Sequence, residues 1–496
     1  MKGSDDSVVV IGAGVAGLSA AAWLAKHGAR VTVVEAAPKV GGCCGTTEIG
    51  GYRFNDGAQF VMLPQMIRMV LDHLGIDPGR LPLRRAQAPL STELMDGTRV
   101  HIDADLRVER FQGRIDPAQA QADLDRMLKR WLPVLRDLTA DDWLLQPLSP
   151  SGLLLRLGRY LPLFARSLEA ELRDLFRDPD FRSVIAGHLL FAGAPPARFM
   201  APSIIALVSV LADGLYLPEE GMGQIPAVLA QAVEAYGGTI RVGAAAQHIR
   251  VSDRWVCAVE AAGLGAIQCR GVLSTASPYA TLGKMLAGHD WPRAWRARLD
   301  RPRLSMKTCS VQLGLANRIG TPSHLNYLLP PMARQAEYFA PTSETIEWAY
   351  YSVPSVVVPE LGPAGGSLVE VYPPTSQAEP AAAWDEARKE RVAEATIAWL
   401  RGRHTLEIVV RRARSPRDFE RQLGLPEGAI YGVDPAAGPR ALFPQRTPVD
   451  GLYLAGQSTF PGFGVPTAAI SGVRAAQALW AELSGGQAGR ARRGWV

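Results

Sequence analysis

Residues Val8–Ala25 read VVVIGAGVAGLSAAAWLA, and this stretch decides the fold. Val8 to Ile11 is a short β-branched run that predicts a buried strand. Gly12, Gly14 and Gly17 follow in G-x-G-x-x-G spacing, and Leu18 to Lys26 is rich in Ala and Leu, which favours helix. In such a turn the first glycine permits the tight bend, the second lets the backbone approach a pyrophosphate, and the third lets helix and strand pack closely. The pyrophosphate sits on free N–H groups at the helix start, where the dipole favours negative charge. A second strand, Arg30 to Val34, ends in Glu35, about 20 residues after the glycines as a dinucleotide fingerprint requires. Its carboxylate can accept both hydroxyls of an adenosine ribose. The glycines alone are a weak signal, but strand, helix and acid together point to a bound dinucleotide.

The competing reading of this stretch is membranous, because it carries no charge over a length at the lower edge of a transmembrane span. The glycine spacing argues against that, and Asp5 and Asp6 argue against a signal peptide, which begins with basic residues.

The chain has 496 residues, too many for one core, and this predicts two or three domains. Its 53 basic and 48 acidic residues give a net charge of +5, which over this length does not suggest a nucleic-acid partner. Five cysteines, Cys43, Cys44, Cys257, Cys269 and Cys309, form no metal-ligand spacing and point to a reduced cytoplasmic compartment. The adjacent Cys43 and Cys44 read as small loop residues rather than a redox pair. No metal is expected.

After Glu35 comes AAPKVGGCCGTTEIGGYRFNDGAQF, in which Gly41 and Gly42 can again bring N–H groups near phosphate. Gly50-Gly51 predicts a hairpin and Tyr52 to Asn55 a strand. On IGAGVAGLSAA, this acid-to-Gly-Gly segment and GYRFNDGAQF, the chain resembles the phytoene desaturase family of FAD-dependent oxidoreductases. That family includes carotenoid isomerases and, more distantly, amine oxidases. The resemblance extends to GLYLPEEGMGQIPAVLAQAVEAYGGTIRVGAAAQ, to GVLSTA at Gly271 to Ala276, and to the closing GLYLAGQSTFPGFGVPTAAISGVRAAQALW. It covers nearly the whole chain and is weak from Arg99 to Ala201.

The resemblance implies an α/β fold. A Rossmann-like FAD-binding domain of GR2-type flavoproteins would be interleaved with an α+β substrate domain holding a mixed sheet and a helical cap. Residues 1–98, 215–290 and 425–496 would form the FAD domain, and residues 99–214 and 291–424 the substrate domain. It implies noncovalent FAD, with Gly12, Gly14, Ala16, Gly17, Glu35, Ala36, Gly41, Gly42 and Cys43 around the adenosine and pyrophosphate. Gly57, Ala58 and Gln59 would pass near the isoalloxazine, and Ala246 near the adenine. Thr275, Gly456, Gln457, Val465, Pro466 and Thr467 complete the expected contacts. The helix opened by Pro466 would aim its N-terminus at the flavin pyrimidine.

This chain departs from its relatives in three places. Cys43 replaces the Arg that amine oxidases carry after Gly-Gly, Gln457 replaces an acid, and Val358 stands where many members have Asp.

Several further elements are expected from periodicity. Pro64 to Gly75 and Pro117 to Leu138 read as helices, and Arg99 to Phe111 as strands. MKTCSVQLGL reads as an alternating strand, and Ala381 to Arg401 as a surface helix anchored by Trp384, Val392 and Trp399. Ala201 to Leu211 reads as a buried helix roofing a cavity. In Ser151 to Asp178, Leu154, Leu157, Leu161, Phe164, Leu168, Leu172 and Leu175 form an apolar helical stripe, broken at Pro162, among five arginines. Two readings stand for it: docking on an anionic bilayer in the wider cap of 151–212, or a hairpin packed on its own domain. The Gly/Arg-rich end, Gly485 to Val496, is expected to fray.

No nucleophile–base pair is apparent, and His188, His248 and His324 read as packing or surface residues. The flavin therefore carries the chemistry, lined by Gln59, Phe60 and Phe463, with no catalytic base identified. The leading expectation is desaturation of a lipophilic isoprenoid or polyene by hydride transfer, with oxygen or a quinone as the final acceptor. The enzyme would be cytoplasmic, or peripheral on the inner face of the membrane. The alternatives are redox-neutral polyene cis–trans isomerisation, flavin-dependent amine oxidation, and a non-enzymatic lipid or prenyl escort.

Overall fold

The computed structural model describes residues 7–87, 90–146, 150–321 and 323–485; apart from Gly485, the Gly/Arg-rich end lies outside them. Strands from three distant parts of the chain form a five-stranded parallel sheet. Its order is Thr239–Arg241, Arg30–Val34, Ser7–Ile11, Gly271–Ser274, Leu452–Leu454. Val8, Val10, Val31, Val33 and Leu273 lie in the core on one face; Val9, Ile11, Val34, Val272 and Leu452 lie in the core on the other. A parallel sheet buried on both faces needs this continuous apolar sequence. On the first face the helix Val15–Lys26 packs against Val465–Ser484. A Cβ on Gly472 would lie 2.0 Å from the Ala16 carbonyl oxygen, so only glycine allows this backbone-to-backbone approach. A three-stranded antiparallel sheet, Ala246–Ser252, Trp255–Ala261 and Gly265–Gln268, covers part of the other face.

The second sheet has eight strands in the order Ile408–Arg414, Ser310–Leu315, Ser367–Tyr372, Tyr350–Ser352, Leu325–Leu329, Leu90–Leu94, Arg99–Ile102, Val108–Gln112. Only Leu325–Leu329 and Leu90–Leu94 pair in parallel. Leu90–Leu94 belongs to this sheet although it precedes the expected boundary at residue 98. The short LSTEL run finds partners on both sides in the mixed sheet.

The Ser310–Leu315 strand also differs from expectation, since all six residues are buried. Its chemistry still alternates. Val311, Leu313 and Leu315 pack with Ala393, Ile397 and Leu400 of the helix Glu386–Arg401. Gln312 and Gly314 face the hairpin Thr46–Asn55, where Gln312 Nε2 donates to the Asn55 carbonyl at 2.7 Å and a Cβ on Gly314 would meet the Tyr52 ring at 2.6 Å. The Glu386–Arg401 helix starts later than expected, because Asp385 caps it by accepting from Arg388 N at 2.8 Å.

The leucine stripe does not form one face. It divides into Pro150–Leu157, a 3-10 helix Gly158–Ala165 that contains Pro162, and Leu168–Leu175. Leu168, Leu172 and Leu175 are core, while Leu154, Leu155, Leu161 and Phe164 are exposed by 61, 88, 55 and 39 %. Glu171 explains the buried half. Fully buried, it accepts from Trp131 Nε1 at 3.0 Å and pairs with Arg130 at 2.8 Å and Arg166 at 3.4 Å, which pins Leu168–Leu175 to the helix Pro117–Thr139. The arginines are not free cations: Arg159 pairs with Asp137, Arg166 with Asp174, and Arg173 with Glu169. Ala201–Ile204 and Ile205–Ala212 form the expected buried helical run, packed on Pro117–Thr139. Among the described residues, no helix is long and apolar enough to cross a membrane.

Candidate active site

The dinucleotide end is built from backbone. Gly12 has φ +100°, and a Cβ there would lie 2.4 Å from Thr275 Oγ1. Thr275 in turn donates from both N and Oγ1 to the Ile11 carbonyl at 2.9 Å, which fixes the neighbouring strand end against the turn. A Cβ on Gly17 would lie 1.9 Å from the Gly12 carbonyl oxygen. At Gly14 the space is open: a Cβ would meet nothing nearer than the Gly41 carbonyl at 3.9 Å, and no side chain caps the Val15–Lys26 helix. The first-turn N–H groups, Ala16 and Gly17 among them, are left without a side-chain cap, the arrangement that suits a phosphate. Gly41 N–H donates to the Ala13 carbonyl at 2.9 Å, which brings the second glycine pair, Gly41 and Gly42, against Gly14.

Glu35 is held by the backbone: Oε2 accepts from Ala13 N at 2.7 Å and Oε1 from Ala37 N at 2.8 Å. Each oxygen retains acceptor capacity for a ribose hydroxyl. Ala36 is exposed beside it, and the Glu35 carbonyl accepts from Ala244 N at 2.7 Å, so the start of the Ala246–Ser252 strand runs past the acid.

The segment that follows leads inward. The Cys43 carbonyl accepts from Ala58 N at 2.8 Å, and a Cβ on Gly57 would lie 2.6 Å from that same oxygen. Burial pushes the Cys43 thiol up to about 11. A thiol so raised is not a redox nucleophile. Gln59 Oε1 is buried and meets no donor among the described residues. Phe60 stands edge-on to Phe191 and to His324, each at 6.2 Å, and Phe463 lies 4.3 Å from the Tyr431 ring.

From the C-terminal loop, Gly456 donates to Ser471 Oγ at 3.1 Å. The Gln457 amide, oriented to satisfy both partners, donates to the Ile430 carbonyl and accepts from Gly432 N, each at 3.2 Å. That side chain is thus engaged by its own loop. Val465 opens the last helix and Pro466 is its second residue, one place later than expected, where the missing N–H again costs no helical bond. Thr467 Oγ1 turns back to the Phe463 and Gly464 carbonyls at 2.6 and 2.9 Å, and no side chain caps this helix start either.

The mixed sheet closes the site with side chains that sequence reading missed. Glu370 is fully buried and accepts from Asn55 N at 3.2 Å, Gln312 Nε2 at 3.0 Å and Tyr372 Oη at 3.1 Å. Desolvation dominates its environment and pushes its carboxyl up to about 7. Asp56 bonds Arg412 at 2.9 Å and Lys39 at 3.1 Å, and its pKa is held down by Arg412, Thr47 and Lys39 against a larger burial effect. Above this polar seam the rings of Tyr372, Tyr350 and Tyr327 stack in a row, with centroids 5.2 and 5.5 Å apart. His188 and His324 are buried, and desolvation pushes them down to about 3 and about 4, so both are neutral packing residues rather than bases. One signal for the seam was present: Glu370 interrupts an otherwise apolar SLVEVY strand.

The uncapped helix start, the open space at Gly14 and the oriented Glu35 fit the adenosine and pyrophosphate of FAD, and the Gly57–Gln59 segment with the Val465–Ser484 helix fits its ring. Fold and site together define an FAD-dependent oxidoreductase. The family model described as flavin containing amine oxidoreductase matches residues 15–480, and the chain belongs to that family. It is 30% identical to a phytoene dehydrogenase of Streptomyces griseus, over 97% of this chain and 96% of that protein. It is 26% identical to prolycopene isomerase 1 of an Oncidium hybrid cultivar, over 96% of this chain and 84% of that protein. Among solved structures it is similar to an oxidoreductase from Methanosarcina mazei, with TM-score 0.65 and 15% identity over 94% of this chain and 98% of that one.

Proposed function

We propose that this enzyme desaturates a lipophilic isoprenoid or polyene. FAD, when bound, would supply the hydride acceptor, with oxygen or a quinone as the final oxidant. The chain's own part is to position the substrate and keep the site dry. The observation that carries this reading is the continuity of one apolar cluster. It takes in Leu207, Phe199, Leu329 and Tyr327, with Phe60, Tyr431, Tyr160 and Leu163 packed on its margin. That cluster runs from Phe60 to Tyr160 and Leu163 at the exposed Leu154–Phe164 region, and apolar surroundings suit a substrate with few polar handles. The similarity to a phytoene dehydrogenase supports it.

A second reading, redox-neutral cis–trans isomerisation, is favoured by the similarity to a prolycopene isomerase. Product analysis separates the two. Incubation with an acyclic polyene in liposomes and a quinone should yield product with one or more added double bonds. Product of unchanged mass and altered geometry, formed only with reduced flavin, would replace desaturation by isomerisation.

We also propose that Leu154, Leu155, Leu161 and Phe164 dip into the membrane surface that delivers the substrate. Their exposure supports this, whereas the arginines of the same region already have acidic partners. The division into an FAD half and a substrate half is kept, with its first boundary moved to precede Leu90. The tunnel would end at Gln59, Phe60 and Phe463.

A further inference from the structure

Arg414 ends the Ile408–Arg414 strand with only 3% of its surface exposed. It makes no ion pair among the described residues, and its Nε and Nη1 find no acceptor there. The guanidinium lies over the Phe419 ring at 4.4 Å. A desolvated cation left without an anion is strongly unfavourable, so a buried arginine of this kind calls for a partner.

Its acidic neighbours do not supply one. Asp56 is already bonded to Arg412 at 2.9 Å and to Lys39 at 3.1 Å. Glu370 is held by Asn55, Gln312 and Tyr372 and is readily protonated. Lys39, Arg412 and Arg414 therefore meet a single firmly ionised carboxylate, and positive charge is in excess at the seam.

The location of this excess matters. Along the Ile408–Arg414 strand, Val410 lies against Gly50 at the tip of the Thr46–Asn55 hairpin and Arg412 bonds Asp56 at its base, so Arg414, two residues further on the same face, lies beyond that base, where the Cys43–Gly45 and Gly57 backbone sits. The Gly41–Cys43 segment touches Gly14 on one side and Gly57 and Ala58 on the other. Arg414 thus stands near the stretch that joins the Gly14 turn to the Gly57–Gln59 segment.

We propose that Arg414 is a fixed cation of the FAD site, reaching from the mixed sheet to an anionic group of the cofactor. Two groups of FAD offer that charge: the pyrophosphate, which is always anionic, and the pyrimidine ring, which becomes anionic on reduction. A cation on the pyrophosphate strengthens retention of FAD. A cation on the pyrimidine raises the reduction potential. Either way the contact ties the mixed sheet to a cofactor otherwise held by the parallel sheet.

Two variants of the holoenzyme separate charge from packing. Arg414→Lys keeps the charge and loses the stack on Phe419; Arg414→Met keeps the apolar packing and loses the charge. FAD retention is read by ultrafiltration and the two-electron potential by equilibration with reference dyes. Arg414→Met should lose FAD at least tenfold more readily, which assigns the pyrophosphate. Alternatively it should lower the potential by at least about 30 mV, the equivalent of tenfold for a two-electron couple, which assigns the pyrimidine. Arg414→Lys should stay within threefold of wild type in whichever quantity moves. If both quantities are unchanged in Arg414→Met, or if Arg414→Lys is the more damaged variant, Arg414 is a packing residue and the proposal is overturned.

Discussion

In the parallel sheet the three inner strands are apolar on both faces, and on the proposed reading what would reach the cofactor is backbone at the strand ends, positioned by Gly12, Gly14 and Gly17. In the mixed sheet one face is apolar under the Glu386–Arg401 helix, and the other carries Gln312, Glu370, Tyr350 and Tyr372 into the interior. The first would hold a constant ligand by geometry that only glycine permits. The second presents side chains to whatever lies above it. On the proposed reading, recognition of the dinucleotide and treatment of the substrate would fall to different sheets, which meet along the seam of Asn55, Asp56 and Glu370.

The comparison breaks most severely at Glu35, the one side chain on which the parallel half relies. Glu35→Ala removes the carboxylate held by Ala13 and Ala37 and the charged hydrogen bonds it would offer a ribose. The expected loss is about 4 kcal/mol, roughly a thousandfold in FAD affinity, measured by titrating flavin into the variant. Affinity within tenfold of wild type would show that the Gly-rich backbone suffices alone.

Glu370 sharpens the other side. Its carboxyl moves from 4.5 to about 7, so the folded chain holds this proton more tightly than the unfolded one. The resulting stabilisation is complete below pH 4.5 and is lost as pH rises through about 7. Its full size is about 3 kcal/mol. Chemical denaturation of wild type and Glu370→Gln across this range should show the variant lacking that decline. Parallel pH profiles for the two proteins would mean that the seam is wetter than its geometry suggests.

A smaller effect is expected at the exposed apolar patch. Leu155→Ser with Leu161→Ser should weaken binding to liposomes by about 2 kcal/mol, with flavin content unchanged. Liposome binding indifferent to this pair, and sensitive instead to Arg159→Gln, would return the contact to the arginines.

The parallel half was legible in the sequence because its constraints are local. A glycine that must clear a carbonyl at 1.9 Å, and an acid at a strand end, leave a spacing that can be read directly. The mixed half was less legible because its constraints are between strands. Leu90–Leu94 pairs with Leu325–Leu329 across more than two hundred residues, and nothing local marks the partner. Burial of Glu370 depends on Asn55 and Gln312 arriving from two other segments. Arg414 sits in a strand reading IVVRRAR, which suggests a solvated edge, and only the fold shows one of its arginines enclosed. The leucine stripe misled for a related reason: helical periodicity reports an apolar face but not its partner, and Glu171 gives a partner to only half of it.

On the proposed function a hydrocarbon polyene gives hydride directly to the flavin of this enzyme. The direct test is a single anaerobic half-reaction, in which the holoenzyme is mixed with an acyclic polyene in liposomes and both chromophores are followed. The account predicts that the yellow flavin absorbance bleaches while the polyene spectrum shifts to longer wavelength, one new double bond forming per flavin reduced. Flavin that stays oxidised with the polyene, yet bleaches with an aliphatic amine, would contradict it.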